Sequence, residues 1–319
     1  LRPLQVGEDA DRPLHAGGWV ELLGRQVVLI DARVDASGAT AGGTVLVGGD
    51  QEGRGDLRRA EAVYVNGASV INARAWSTGA GGRVVLWSDV FTGFFGTIIA
   101  RGGGTGGDGG FVETSSKEKL QVAGSVDASA SAGAPGAWLL DPRNISITAG
   151  GNDNVTFSGT DPVIVTATST SGFVAVATLN SGLSAGTSVT IRTSGTGLVS
   201  GNITVIAAIS KTGGGNATLR LEAANDIIIN ATITDTSLAA LNLVLIANDQ
   251  AQGGDLDPTS GSVNVNAAIN TGGGSVTITG VGATIAAGVT ATGGLTINAG
   301  AAGIAFSGAV STGGGTITL

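Results

Sequence analysis

SVNVNAAINTGGGSVTITG, running from Ser262 to Gly280, alternates apolar residues with Asn, Thr or Ser on either side of a glycine corner. Strict alternation describes β-strands with one buried face. The corner recurs as TGGG at Thr212, Thr271 and Thr312, and as TGG at Thr292. Thr271, Thr292 and Thr312 follow one another at about 20 residues, and Thr212 precedes Thr271 by close to three such steps. A repeat of that length lies in the range of solenoid coils. Short strands at this spacing can also build a sandwich. The fixed period and the recurrent corner favour an all-β right-handed parallel β-helix with about 20 residues per coil. In such a fold no coil buries its apolar face alone. Ile227, Ile229, Val263, Val265, Val276 and Ile278 are expected to point inward, with Thr, Asn and Ser facing water. Helix signals are almost absent, so very little α-helix is expected. The ambiguous run SLAALNLVLIA (Ser237–Ala247) ends as a buried strand.

The first half states the same plan in other words. VDASGATAGGTVLVGGD (Val34–Asp50), INARAWSTGAGGRVVLWSD (Ile71–Asp89) and VDASASAGAPGAWLLDP (Val126–Pro142) each run from a strand end through a Gly/Ala turn to a short apolar strand closed by Asp. A longer echo links Val20–Glu21 with Val112–Glu113 and Val34–Ser37 with Val126–Ser129, both pairs at the same offset. Two continuous sections follow: residues 1–149, more charged and with longer turns, and residues 150–319, rich in Gly, Thr and Asn. About 16 coils at a spacing of about 4.8 Å would make a rod on the order of 75 Å long.

Composition narrows the function classes. The 319 residues carry a net charge of −8, which argues against a nucleic-acid partner. There is no Cys, hence no disulfide, thiolate metal site or cysteine nucleophile. From Gly150 onward the only basic residues are Arg192, Lys211 and Arg220. No apolar run approaches the roughly 20 residues needed to span a bilayer. With no Met at position 1 and an end in mid-pattern, the sequence reads as a piece of a longer chain, whose export signal lies elsewhere.

TIIARGGGTGGDGGFVETSSK (Thr97–Lys117) raises two chemical readings. Gly104-x-Gly106-x-x-Gly109 fits a dinucleotide fingerprint, but FVETSSKEKLQVAG has no helical apolar stripe to supply the required helix. Gly103-Gly104-x-Gly106-x-Asp108 begins a calcium nonapeptide, but that site needs tandem copies and there is one. The expectation is a structural corner over Gly102–Gly110, with neither cofactor nor metal. Gly106→Val is expected to destabilise it if Gly106 takes positive φ, and Asp108→Ala to leave melting nearly unchanged.

Five words carry a family resemblance: LVGGDQEG (Leu46–Gly53), GGRVVLWSD (Gly81–Asp89), FTGFFGTIIARGG (Phe91–Gly103), GGDGGFVETS (Gly106–Ser115) and WLLDPRNISI (Trp138–Ile147). With LSAGTSVTIRT (Leu183–Thr193) and the INTGGGSVTI coils, the chain from about residue 17 onward resembles bacterial two-partner secretion exoproteins, the filamentous-haemagglutinin-like adhesins. The resemblance implies a secreted or surface-held β-helical rod of a Gram-negative-type bacterium, exported through an outer-membrane transporter. Its implied partner is a receptor or glycan on a host or neighbouring cell, with self-association into fibres as a further implication. The secretion domain's Asn-Pro-Asn words and any C-terminal anchor are not in this sequence.

Individual residues add less. His15 is the only histidine, so a Ser–His–Asp triad would have to use it; it reads as a loop residue. Asp50, Asp89 and Asp141 sit at strand ends, where Asp stabilises turns; a carbohydrate-cleaving site would need such acids gathered on one face. Arg54-Gly55-Asp56 is an integrin-type tripeptide within the charged loop QEGRGDLRR, expected to leave the rod. Asn144, Asn154, Asn202, Asn216 and Asn230 are N-x-S/T sites, some relatives of the resembled family being glycosylated at such positions. Trp19, Trp76, Trp87 and Trp138 could stack on sugars, with core or corner packing the plainer role for most. The reading is a non-enzymatic adhesin or spacer, with an extracellular filament subunit and a carbohydrate-active enzyme as alternatives.

Overall fold

The computed structural model describes residues 15–150, 155–158, 164–167, 172–193, 201–248 and 261–319. The protein is predominantly strand, and its sheets are largely parallel. The chain visits three ladders in turn. The first stacks Trp19–Leu22, Thr44–Val47, the start of Arg83–Phe94, Phe111–Ser116, Ala137–Leu140, Ser188–Arg192, Ala217–Glu222, Leu241–Ile246 and the later strands, each parallel to the next. A second runs from Gln26–Leu29 through Ala60–Val65 and Lys119–Val122 to Ser262–Val265 and beyond. A third has two parts, Arg33–Asp35 to Ser125–Asp127 and Ile209–Lys211 to Val310–Ser311.

Alternation sets what these ladders bury. In the first ladder, Val45, Val84, Val112, Trp138, Val189, Leu219, Leu243, Val276 and Leu295 stand in register, none more than 1% exposed. Period-two side chains force this: one face of every strand must be apolar, and parallel stacking lines those faces up. The six residues expected to point inward are all buried, as are the inward positions of strand Leu241–Ile246. Trp138 donates its indole N–H to Thr114 Oγ1 at 3.0 Å, which satisfies the polar edge of the largest core side chain. The longer echo in the sequence spans three ladder steps, Val20 to Val45 to Val84 to Val112.

The step between stacked strands is not uniform. From Val276 to Leu295, and again from Leu295 to Ile317, it is about 20 residues, as expected of a solenoid coil. From Thr44 to Arg83 it is about twice as long, and from Ala137 to Ser188 longer still. The steps from Trp19 to Thr44, Phe111 to Ala137 and Ala217 to Leu241 run about 25 residues, and the glycine-cornered coils at the end lie nearest the period in the sequence. There Thr271 is fully buried and its hydroxyl donates to Gly274 O at 2.8 Å, closing the corner without further residues. Elsewhere the chain inserts structure between steps. Helix Val176–Ala185 packs against Ser125–Asp127 and Ile209–Lys211, occupying the gap between the two parts of the third ladder. Strand Phe173–Ala175 returns to pair between Lys119–Val122 and Ile145–Thr148, out of chain order. An antiparallel hairpin, Val155–Ser158 with Ile164–Ala167, is tied to the first strands by Val165 N–H donating to Gln26 Oε1 at 2.9 Å.

Gly102–Gly110 leads directly into strand Phe111–Ser116 and not into a helix. Gly106 has open space around it and does not take positive φ, whereas Gly107 does, at +118°. The glycine requirement therefore sits one residue later than the sequence expectation placed it. Asp108 Oδ1 accepts from Ala134 N–H at 2.8 Å. Asp108→Ala is accordingly expected to cost about 1 kcal/mol, a small melting shift that calcium does not restore.

The four described N-x-S/T asparagines all brace neighbouring segments. Asn144 Oδ1 accepts from Asn202 N–H, Asn202 Oδ1 from Asp226 N–H and Asn225 Nδ2, Asn216 Oδ1 from Ala240 N–H, and Asn230 Oδ1 from Asn266 Nδ2. Asn216 and Asn230 are exposed, while Asn144 and Asn202 are half-buried. Asn154 lies outside the described residues. Asn202→Ala leaves two donors without their acceptor and is expected to lower stability by about 1–2 kcal/mol, read as a fall in Tm.

Candidate functional site

Between strands Thr44–Val47 and Ala60–Val65 the chain does not turn directly. Residues 48–59 fold back over the outward face of the first ladder, forming a strap. Leu57 packs against Leu46, Val85 and Trp87, a small apolar cluster outside the main core. The sequence expectation that QEGRGDLRR leaves the rod is thus corrected: outward Leu46, Val85 and Trp87 are apolar and need cover, and Leu57 supplies it. The strap carries a short 3-10 turn, Gln51–Gly53, whose first N–H donates to Asp50 Oδ1 at 2.6 Å. Arg83 Nη2 donates to that same oxygen at 2.6 Å. Gly53 has φ +62° and lies against the Trp87 ring, where an added Cβ would collide with Cε2.

Charged residues occupy the outward positions beneath the strap. Glu113 belongs to Phe111–Ser116, Arg192 to Ser188–Arg192, and Arg220 and Glu222 to Ala217–Glu222, while Asp141 follows Ala137–Leu140. Glu52 N–H donates to both Glu113 carboxylate oxygens, at 3.0 and 3.2 Å. Glu52 is itself at φ +55°, an uncommon conformation for a side-chain-bearing residue. Its carboxylate pairs with Arg54 Nη2 and Arg192 Nη1, both at 2.7 Å. Arg192 Nε reaches Glu222 Oε2 at 2.8 Å, and Arg220 pairs with the other Glu222 oxygen. The result is a charge chain, Arg54–Glu52–Arg192–Glu222–Arg220, tying the strap to strands far along the sequence.

Burial splits these acids into two kinds. Glu113 is fully buried with no cation against it, and desolvation pushes its carboxyl up to about 8, although the Glu52 N–H and Ser115 favour the charge. Desolvation likewise pushes Asp141 up to about 7, opposed by Arg192. Burial disfavours the charge on Glu222 too, but Arg192 and Arg220 outweigh it and hold that carboxyl below its ordinary range. For Glu113 the folded value lies above the unfolded one. The proton therefore stabilises the fold, and stability falls as pH rises from about 4.5 and levels off above about 8. Glu113→Gln keeps an acceptor for Glu52 N–H without the charge. It is expected to exceed the wild type in stability at pH 9 by on the order of 3 kcal/mol, the gap closing towards pH 5, in denaturant melts at both values.

At the strap's edge lies a groove of about 320 Å³ whose lining includes Glu52, Arg59, Trp87, Asp89, Lys117 and Asp141. Of the three aspartates singled out in the sequence, Asp89 and Asp141 meet here, while Asp50 is held by Arg83. Asp89 pairs with Arg59 at 3.2 Å. Arg54, Gly55 and Asp56 form the strap's exposed tip. Glu52, Glu113, Arg192 and Glu222 were not singled out from sequence. For Glu113, Arg192 and Glu222 the one signal is charge at outward strand positions, in FVETSS, SVTIRT and ATLRLE, where Thr, Asn and Ser prevail, while Glu52 lies in the charged loop QEGRGDLRR.

The other candidates lie apart. His15 is exposed and its Nδ1 is 3.0 Å from Ala16 O. Trp138 and Trp87 are buried; Trp19 is exposed, as is Trp76, which is covered on one face by Arg74 at 3.1 Å from the ring centre. Among the described residues no three His, Asp or Glu side chains are grouped to hold a metal ion, and no helix is long and apolar enough to cross a membrane. No family model and no curated protein matches this chain.

Proposed function

We propose that the chain is a right-handed parallel β-helix serving as a secreted or cell-surface rod, an adhesin or spacer without catalysis. The observation that carries this reading is the continuous buried column from Val45 to Leu295, shared by strands whose outward faces are mainly polar. A stack of this kind grows along one axis and offers long lateral surfaces, which suits reach and contact. The eleven described strands of the first ladder, at about 4.8 Å each, give roughly 50 Å along that axis.

Beads coated with the purified chain test this reading. Attachment to epithelial or bacterial cells above albumin-coated beads is the expected result. Absence of attachment, or cleavage of polysaccharides by the purified protein, would contradict it. Electron microscopy of the same material separates discrete rods from a fibre-forming subunit.

A further inference from the structure

The strap is held by few contacts, and they differ in kind. Leu57 gives it an apolar anchor, Arg59 Nη1 donates to Gly53 O at 3.2 Å, and Arg83 holds Asp50 at its base. The central ties run through Glu52: its N–H to Glu113 and its carboxylate to Arg192. Under the strap two buried polar atoms have no partner, Trp87 Nε1 and Asp141 Oδ1. At the strap's base Gly48 donates to Leu22 O at 2.9 Å and accepts from Ala60 N–H at 2.7 Å, so both ends of the strap are pinned together and only the residues between can lift.

Glu113 is the tie whose character changes with its proton. As a carboxylic acid it accepts the Glu52 N–H at no charge cost. As a carboxylate under a closed strap it has that N–H and Ser115 as donors, while the Glu52 and Asp141 carboxylates repel it. Arg192 cannot compensate, because its guanidinium is engaged by Glu52 and Glu222. The remaining charges around the strap are already paired or peripheral: Arg54 on Glu52, Arg220 on Glu222, Arg83 on Asp50, Arg59 on Asp89, and Lys117 exposed on the rim. Lifting the strap is the route by which an ionised Glu113 reaches water.

We propose that residues 48–59 form a proton-operated strap, held closed by Glu113 as a neutral acid and released when Glu113 ionises, so that the surface beneath it becomes accessible. The device stands independently of the adhesive reading, since it concerns only the strap and the groups it covers.

Trypsin reads the strap directly, because Arg54, Arg58 and Arg59 all lie in it. Limited digestion of the full chain is followed by mass spectrometry at pH 7 and pH 9.5, with rates divided by those on a small arginine amide at each pH. Cleavage within residues 54–59 is expected to rise about tenfold in the wild type and to stay flat in Glu113→Gln. The fully buried Lys211 serves as the control for global opening and is expected to remain uncut. Hydrogen exchange of the Glu52 amide, corrected for its intrinsic pH dependence, gives a second readout in the wild type alone, with protection expected to fall over the same span. A flat wild-type profile in both readouts overturns the proposal. So does a rise in Glu113→Gln equal to that of the wild type, which would assign the transition to another group.

Discussion

Val265→Asp is expected to lose several kcal/mol of stability and to melt far below the wild type. Val265 stands in register between Ile229 and Ile285, and all three are fully buried. A carboxylate there has apolar neighbours in both stacked strands and no cation in register. It must either remain charged in an apolar stack or take up a proton, and both cost free energy. Parallel stacking spreads the damage, because each stacked strand relies on the next to cover its apolar face. Circular dichroism melts of the two proteins check this. Equal melting would mean that Val265 faces water and that the register of this ladder is wrong.

The glycine stretch yields the second large effect, and it discriminates between adjacent residues. Gly107→Val is expected to cost about 3 kcal/mol or more, whereas Gly106→Val is expected to be nearly neutral. Gly107 has φ +118°, and a Cβ there would collide with Gly79 O of the preceding turn. Backbone meets backbone at that point, so no side chain can move aside. Gly106 has nothing within 4 Å of the corresponding position. Melting both variants checks the pair, and a large loss at 106 with none at 107 would reverse the assignment.

How much of this was legible beforehand depends on the distance over which the cause acts. Alternation is local, so SVNVNAAIN and SVTITG revealed which residues are buried, down to Val263 and Val276. The spacing of coils is not local. The TGGG corners at Thr271 and Thr312 close a turn with a threonine hydroxyl, and such corners dominate the visible period. The strap at residues 48–59, the hairpin and the helix lengthen other steps without leaving a periodic trace. Helix Val176–Ala185 was missed for a physical reason. VATLNSGLSA lacks a side-chain N-cap and contains weak helix formers, and its buried Leu179 and Leu183 are a single i, i+4 pair. Tertiary packing against strands on either side stabilises it. The charge chain was less legible still. Glu52, Glu113, Arg192 and Glu222 lie far apart in the sequence and become neighbours only once the stacking order is known.

That stacking order is most exposed at its longest step, where Ala137 pairs with Ser188 across the insertion that holds the hairpin and the helix. The chain has no cysteine, so introduced pairs report without interference. Stacked parallel neighbours sit about 4.8 Å apart, within the range a disulfide bridges. The double variant Ala137→Cys/Ser188→Cys is therefore expected to form an intramolecular disulfide under mild oxidation, seen as a mass loss of about 2 Da per chain. Ala137→Cys/Phe157→Cys, the pairing that a uniform coil of about 20 residues would demand, is expected to stay reduced. A disulfide in the second variant and none in the first would contradict the account.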